Sequence, residues 1–241
     1  MDRPTRAPAA GAGGIPDSIG GFPTVVDVVD PSGLAIEIVG VRDLESRLDR
    51  DRLLNDEAYV PPYWALVWSG SIALARLLGG PVPCRGSRVL DVGCGLGLLS
   101  LVAAREGARV TAIDREPVPI DFLRASAGRL GLPVRALASD LETATWEAPF
   151  DLVLCAELLY ERDRFGAMAA ALDAALATGG RLVVADARRV DTSQFWTEVA
   201  ARGFETSSLG TFEAREEGTL VRVSLSTSRR RGDGGAAAAG G

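Results

Sequence analysis

Residues 88–114, RVLDVGCGLGLLSLVAAREGARVTAID, constrain the fold more than any other part of the chain. They read as an apolar strand, a glycine turn, a helix, a second strand and an acid at that strand's end. Gly93, Gly95 and Gly97 recur at every second position. Residues without a Cβ let the backbone turn tightly there and pass close to a ligand. The helix that follows points its free N–H groups into the turn. Asp114, at the exit of the second strand, stands where a carboxylate can accept hydrogen bonds from two ribose hydroxyls. The whole unit makes a nucleotide-sized pocket.

The same alternation continues down the chain. Strands are expected at 88–92, 109–113, 133–138, 151–155 and 181–186, with helices at 97–106, 117–130, 164–177 and 192–202 between them. Short connections between alternating strands and helices argue an α/β, Rossmann-like, doubly wound parallel sheet. Two further strands, near 204–210 and 219–226, flank the polar segment 213–218 and should close the sheet as an antiparallel hairpin. Upstream, the β-branched runs at 24–29 and 34–39 surround Asp30-Pro31-Ser32-Gly33 and read as a β-hairpin. Helices are expected over 42–55 and 63–78, the second stopped by Gly79-Gly80-Pro81. Residues 1–20 and 228–241 are rich in Pro, Ala, Gly or Arg and read as disordered. The expected organisation is an N-terminal hairpin with helices over 21–80 and a core over 81–227.

Spacing narrows the ligand. A dinucleotide turn would read G-x-G-x-x-G, but Leu98 occupies the last glycine position, and no G-x-x-x-x-G-K-[ST] is present. The pattern is D-x-G-x-G-x-G, from Asp91 to Gly97. An acid two residues before the first glycine would repel a pyrophosphate and suits a cation carrying an amine. S-adenosylmethionine has a sulfonium, an amino-acid end, a ribose and an adenine, and no phosphate. The stretch resembles motif I of the class I, seven-strand methyltransferases. The antiparallel ending expected for the sheet is what separates that sheet from a simple Rossmann sheet.

Ligands in such sheets sit beyond the carboxyl ends of the strands. After the third strand come Asp140, placed to accept the adenine amino group, and Leu141 against the ring. After the fourth come Ala156 and then Glu157-Leu158-Leu159-Tyr160 at the methyl face. Glu157 and Tyr160 would share a side if that segment turns helically. The blocks PPYWALVWSGSIALARLL, VLDVGCGLG and AELLY together resemble the seven-strand protein-lysine methyltransferases, closest to the branch that modifies the electron-transfer flavoprotein β subunit. The resemblance spans roughly residues 58–187. It implies that Trp68 lies by the cofactor and that Glu157 and Tyr160 meet the incoming amine. Two departures bear on the substrate: Glu157 stands where the family often has Asp, and Ser69-Gly70-Ser71 stands where a proline often follows the tryptophan block. The expected cofactor set is Trp68, Asp91, Gly93, Gly95, Gly97, Asp114 with Arg115 beside it, Asp140, Leu141 and Ala156. No metal is expected.

Composition limits the alternatives. There is no histidine, which removes Ser-His-Asp and Cys-His chemistry and the commonest metal ligand. A net charge of −6 is a poor basis for non-specific nucleic-acid binding. No apolar run reaches the roughly 18–20 residues needed to span a bilayer. Cys84, Cys94 and Cys155 are odd in number and widely spaced, and read as reduced thiols in a cytoplasmic protein. The expected activity is in-line methyl transfer to a protein lysine. A small-molecule N- or O-methyltransferase and a non-catalytic cofactor-binding module are the alternatives.

Overall fold

The computed structural model describes residues 14–231, apart from 32, 34, 57, 217 and 218. Its centre is a seven-stranded sheet in the order β6-β5-β4-β7-β8-β10-β9. The parallel part comprises β4 (Arg88–Val92), β5 (Arg109–Asp114), β6 (Val134–Ala138), β7 (Phe150–Ala156) and β8 (Leu176–Asp186). The hairpin β9 (Phe204–Glu216) and β10 (Thr219–Arg230) joins β8 antiparallel. This is the expected Rossmann-like sheet with its antiparallel end. From β4 the chain builds outward to β5 and β6, then returns to lay β7 on the other side of β4. That reversal leaves a crevice at the carboxyl ends of the two central strands.

The central strands alternate between two cores. On one face Val89 of β4 and Leu152 and Leu154 of β7 pack with α2 (Ser69–Ala75), α3 (Leu98–Arg105) and α4 (Pro117–Leu130). On the other, Leu90, Val153 and Cys155 pack with α5 (Phe165–Ala175) and α6 (Ser193–Ala201), around Phe165 and Phe195. Strands buried on both faces read as continuous apolar runs, which is why residues 88–92 and 151–155 were recognisable. α4 has matching end signals: Pro117 in its first turn, and Gly131 at φ 64° donating back to the Ala127 and Gly128 carbonyls.

The N-terminal hairpin exists as β2 (Phe22–Val29) and β3 (Ile36–Val41), extended by the short β1 (Ser18–Ile19) into a separate three-stranded sheet. Ser126 of α4 fixes it, its buried hydroxyl accepting the Val39 N–H at 2.9 Å. Residues 18–19, expected to be disordered, are therefore a strand.

The two upstream helices are broken. Residues 42–55 form a 3-10 turn (Leu44–Arg47) and a separate α1 (Arg50–Asn55). Asp49 starts the second helix by accepting the Arg52 N–H at 2.9 Å, as a capping side chain competes with helix continuation. Residues 63–78 form a 3-10 turn (Tyr63–Ala65) and then α2, with Leu66 and Trp68 extended between them. In one continuous helix Trp64 and Trp68 would share a face. The break separates them: Trp64 packs between Phe22 and Phe122, and the Trp68 indole N–H donates to the Tyr63 carbonyl at 3.0 Å.

At the other end, β9 and β10 run past the expected loop, and Ser228–Arg230 belong to β10 rather than to a disordered tail. Ser228 is buried and shares a hydrogen bond with Thr206, and Arg230 is ion-paired with Asp173. Residues 1–13 and 232–241, also expected to be disordered, lie outside the described residues. Among the described residues no helix is long and apolar enough to cross a membrane.

Candidate active site

A cleft of about 890 Å³ opens at the carboxyl ends of β4, β5, β6 and β7. Its walls are the glycine turn and residues 113–116, 139–142 and 156–161, with residues 59–64 and 68 of the N-terminal segment across from them. The volume is at the upper end of the range for small-molecule sites.

The three glycines of the turn all have left-handed φ, at 63°, 51° and 83°. Each also permits a close approach. A Cβ on Gly93 would overlap Leu158, and one on Gly95 would come within 3.0 Å of the Trp64 carbonyl. A Cβ on Gly97 would overlap Leu123. Gly93 and Gly95 line the cleft, whereas Gly97 does not and leaves room for Leu123 of α4 at the start of α3.

Asp114 faces the cleft. One carboxylate oxygen accepts the Gly95 N–H and the other the Glu116 N–H, both at 3.0 Å. Each oxygen keeps acceptor capacity for a further donor. Burial raises the Asp114 pKa, against the lowering effect of those two N–H groups. Asp91 is placed differently. It is only 2% exposed, it does not line the cleft, and one oxygen accepts both the Ser100 N–H (3.0 Å) and the Ser100 hydroxyl (2.6 Å). The carboxylate thus clamps the first turn of α3 beneath the glycine turn. Burial pushes its pKa up to about 7, opposed by the Ser100 hydrogen bonds and reinforced by the Asp114 charge.

The wall beyond Asp114 is a network of charges. Arg115 donates to Tyr160 Oη at 3.1 Å and to Glu161 at 2.8 Å. Arg164 reaches Asp140 at 2.9 Å, Glu142 at 2.7 Å and Glu161 at 3.3 Å. Asp140 also accepts the Glu142 N–H at 2.8 Å. Burial pushes the Asp140 carboxyl up, but that N–H and Arg164 outweigh it and hold the pKa below the usual range. Leu141 and Ala156 complete this wall. Arg164 and Glu161 were not singled out in the sequence.

Glu157 and Tyr160 do not share a side. Residues 157–160 form a bend and turn without a helix, and Glu157 sits at φ 56°. Both side chains line the cleft. Glu157 turns toward α2 and the end of β8, accepting the Gly70 N–H at 3.1 Å and the Ala187 N–H at 3.3 Å, with Arg189 at 3.6 Å. Tyr160 leans the other way, onto Arg115, and is 49% exposed. Arg189 also stacks over Trp68, 4.9 Å from the ring centre. Nothing in the sequence marked Arg189, which reaches the cleft only because β8 ends beside β7.

A methyltransferase-domain family model matches residues 89–180. The protein N-lysine methyltransferase METTL21A of Danio rerio is 33% identical over 149 residues, covering 57% of this chain and 67% of that protein. The chain belongs to the class I S-adenosylmethionine-dependent methyltransferases. The electron transfer flavoprotein beta subunit lysine methyltransferase of Mus musculus is 34% identical over 108 residues, 44% of this chain and 42% of that protein. A ubiquinone biosynthesis O-methyltransferase of Xylella fastidiosa is 44% identical over 110 residues, 45% of this chain, and the chain spans only 45% of that relative's length. Among solved structures, the T. thermophilus 16S rRNA N2 G1207 methyltransferase in complex with AdoMet and guanosine superposes with a TM-score of 0.61 at 21% identity, over 89% of this chain and 51% of that one. The magnesium protoporphyrin IX methyltransferase from Synechocystis with bound SAM gives 0.50 at 23% identity, over 60% and 71%. These two likenesses concern the fold.

The family's cofactor is S-adenosylmethionine, and the cleft of this methyltransferase suits it. Asp114 offers acceptors on the cleft wall, beside a turn whose missing Cβ atoms let Leu158 and the Trp64 carbonyl close against it. The arginines of the adjoining wall are held by carboxylates, which suits a ligand without phosphate.

Proposed function

We propose that the chain transfers the methyl group of S-adenosylmethionine to the side-chain amine of a protein lysine, in the cytoplasm. The observation that carries this reading is the mouth of the cleft. Of the four exposed large hydrophobic residues among the described ones, Val60 (76%), Tyr63 (52%) and Tyr160 (49%) all stand on its rim. Apolar groups left exposed around a functional opening suit a macromolecular partner that covers them on binding. The two relatives named as lysine methyltransferases support the same acceptor. The free thiols, two of them buried, suit a reducing compartment.

In this reading Asp114 accepts the ribose hydroxyls and Asp140 the adenine amino group, with Leu141 against the ring and Arg115 and Trp68 flanking the cofactor. Asp91 acts from behind, by holding α3 and the glycine turn in place. The bound cofactor supplies a methyl group already activated by its sulfonium. The chain's own contribution is alignment, with the amine held about 3–3.5 Å from the methyl carbon and in line with the bond that breaks. Glu157 is built for that task. Two backbone N–H groups and Arg189 fix its carboxylate in place, so it orients the amine by accepting a hydrogen bond. The amine must arrive neutral, and the apolar faces of Trp68 and Tyr160 lower its pKa by desolvation. Water takes the proton.

The second reading, transfer to a nitrogen or oxygen of a small molecule, is favoured by the 44% identity to the ubiquinone biosynthesis O-methyltransferase. Incubation with methyl-labelled S-adenosylmethionine and cell lysate, with and without prior protease treatment, separates the two. Label in a protein band that protease abolishes is expected. Label confined to the low-mass fraction overturns the lysine reading.

A further inference from the structure

Beside the cleft lies a second groove, of about 590 Å³. It is lined by Arg162, from the turn after β7, by Arg188 and Arg189, from the loop after β8, and by Trp196 of α6. All three arginines are exposed, and the Trp196 ring is half-buried against Phe195. Asp191 is the acid of this lining, and its carboxylate is directed to the Ser193 N–H at 3.0 Å. Arg189 lines both the groove and the cleft, so the two adjoin.

The loop that presents the arginines is held in shape. Arg188 has φ 52°, a left-handed conformation that a non-glycine residue adopts only under local constraint. The constraint is Asp186, a buried residue that accepts the Arg188 N–H at 2.9 Å and the Thr192 hydroxyl at 3.4 Å. Holding Arg188 in that conformation fixes the loop from which it and Arg189 line the groove together with Arg162. Three arginines and one acid, Asp191, line the groove, and with Arg189 shared with Glu157 a positive surplus remains on Arg162 and Arg188, in a chain that as a whole carries −6.

We propose that this groove docks an acidic segment of the protein substrate, next to the lysine that enters the cleft. Carboxylates of the segment pair with Arg162 and Arg188, and an apolar residue rests on Trp196. Planar guanidinium groups suit carboxylate pairing, and an aromatic floor among them suits a peptide with mixed side chains. A nucleic acid fits less well, because a phosphate backbone requires a longer track of cations than one short groove provides. The proposal rests on the protein-lysine reading for the identity of the substrate, and its test reads binding separately from transfer.

The probes are two short fluorescent peptides with a central lysine, one flanked by glutamates and the other by glutamines. Their affinity is measured by anisotropy with S-adenosylhomocysteine present. The glutamate peptide is expected to bind roughly tenfold tighter, with a preference that shrinks as salt is added. R162E/R188E should abolish the preference and R162Q/R188Q should reduce it, while S-adenosylhomocysteine affinity is unchanged in both. Equal binding of the two peptides, or binding of neither, overturns the proposal. So does a preference that survives R162E/R188E, or tighter binding of a uridine oligonucleotide that the same variant removes. Loss of the preference in the variants, together with transfer of label only to small molecules, would leave the arginine groove standing as a site for acidic segments and remove the lysine reading. Labelling of lysate proteins that R162E/R188E leaves unchanged would do the opposite.

Discussion

Replacing Asp91 with Asn should change how stability depends on pH, and the structure sets the size of the effect. The Asp91 carboxyl titrates at about 7 in the folded chain, because burial penalises its charge more than the Ser100 hydrogen bonds favour it. In the unfolded chain an aspartate titrates near ~3.9. The folded state therefore keeps a proton that the unfolded chain has released. Stability from this group is fully present below about pH 4 and is lost as pH rises through about 7. A difference of about three units corresponds to roughly 4 kcal/mol over the whole range, of which roughly 2–3 kcal/mol falls between about pH 5 and pH 8. Asp91→Asn cannot ionise, so the difference between the two proteins reports this carboxyl together with its coupling to Asp114. Urea unfolding at about pH 5 and about pH 8 measures it. The variant should gain on the wild type by roughly 2–3 kcal/mol between the two conditions. A difference that stays constant within about 0.5 kcal/mol would refute the argument that burial governs this carboxylate.

The carboxylates under the turn make a second prediction. A cation in the cleft favours their ionised forms, so S-adenosylmethionine should bind more tightly as pH rises from about 5 to about 8. S-adenosylhomocysteine, which lacks the sulfonium charge, should change less, as calorimetry on the two ligands can show. Asp114→Ala removes acceptors at the ribose position and should weaken cofactor binding about tenfold to a hundredfold. Gly70→Ala would place a Cβ 2.6 Å from Glu157 Oε1. The helix itself tolerates alanine, so the variant should fold and keep its cofactor affinity while methyl transfer falls by about tenfold or more. Single-turnover rates beside calorimetry distinguish that outcome from a general loss of binding.

The parts of this fold that were legible in the sequence are those governed by local signals. The two-faced burial of β4 and β7 left apolar runs, and α4 carries Pro117 and Gly131 at its ends. The glycine turn was legible because three left-handed residues at alternate positions require glycine. Tertiary contacts decided the rest. The helix expected over 63–78 breaks where Trp68 is tied to the Tyr63 carbonyl and where Gly70 donates to a glutamate 87 residues away. The last strand continues through Ser228 because a cross-strand hydroxyl and Asp173 receive it. The same applies to the candidate site. Asp114 could be placed from its position at a strand end, whereas the inward turn of Asp91 depends on Ser100 of the next helix. Arg164 gathers three acids from separate loops, and no local pattern announces that.

The chain contains no lysine, since all 26 of its Lys and Arg positions are arginine. A methyl-lysine recovered after reaction with lysate proteins therefore cannot come from the enzyme itself. The most direct test is to digest the labelled product and locate the methyl group by mass spectrometry. Label is expected on the Nζ of a substrate lysine, absent when Asp114→Ala replaces the wild type at a cofactor concentration too low to load the variant. Label on a small molecule, or on a protein residue other than lysine, would overturn the lysine reading.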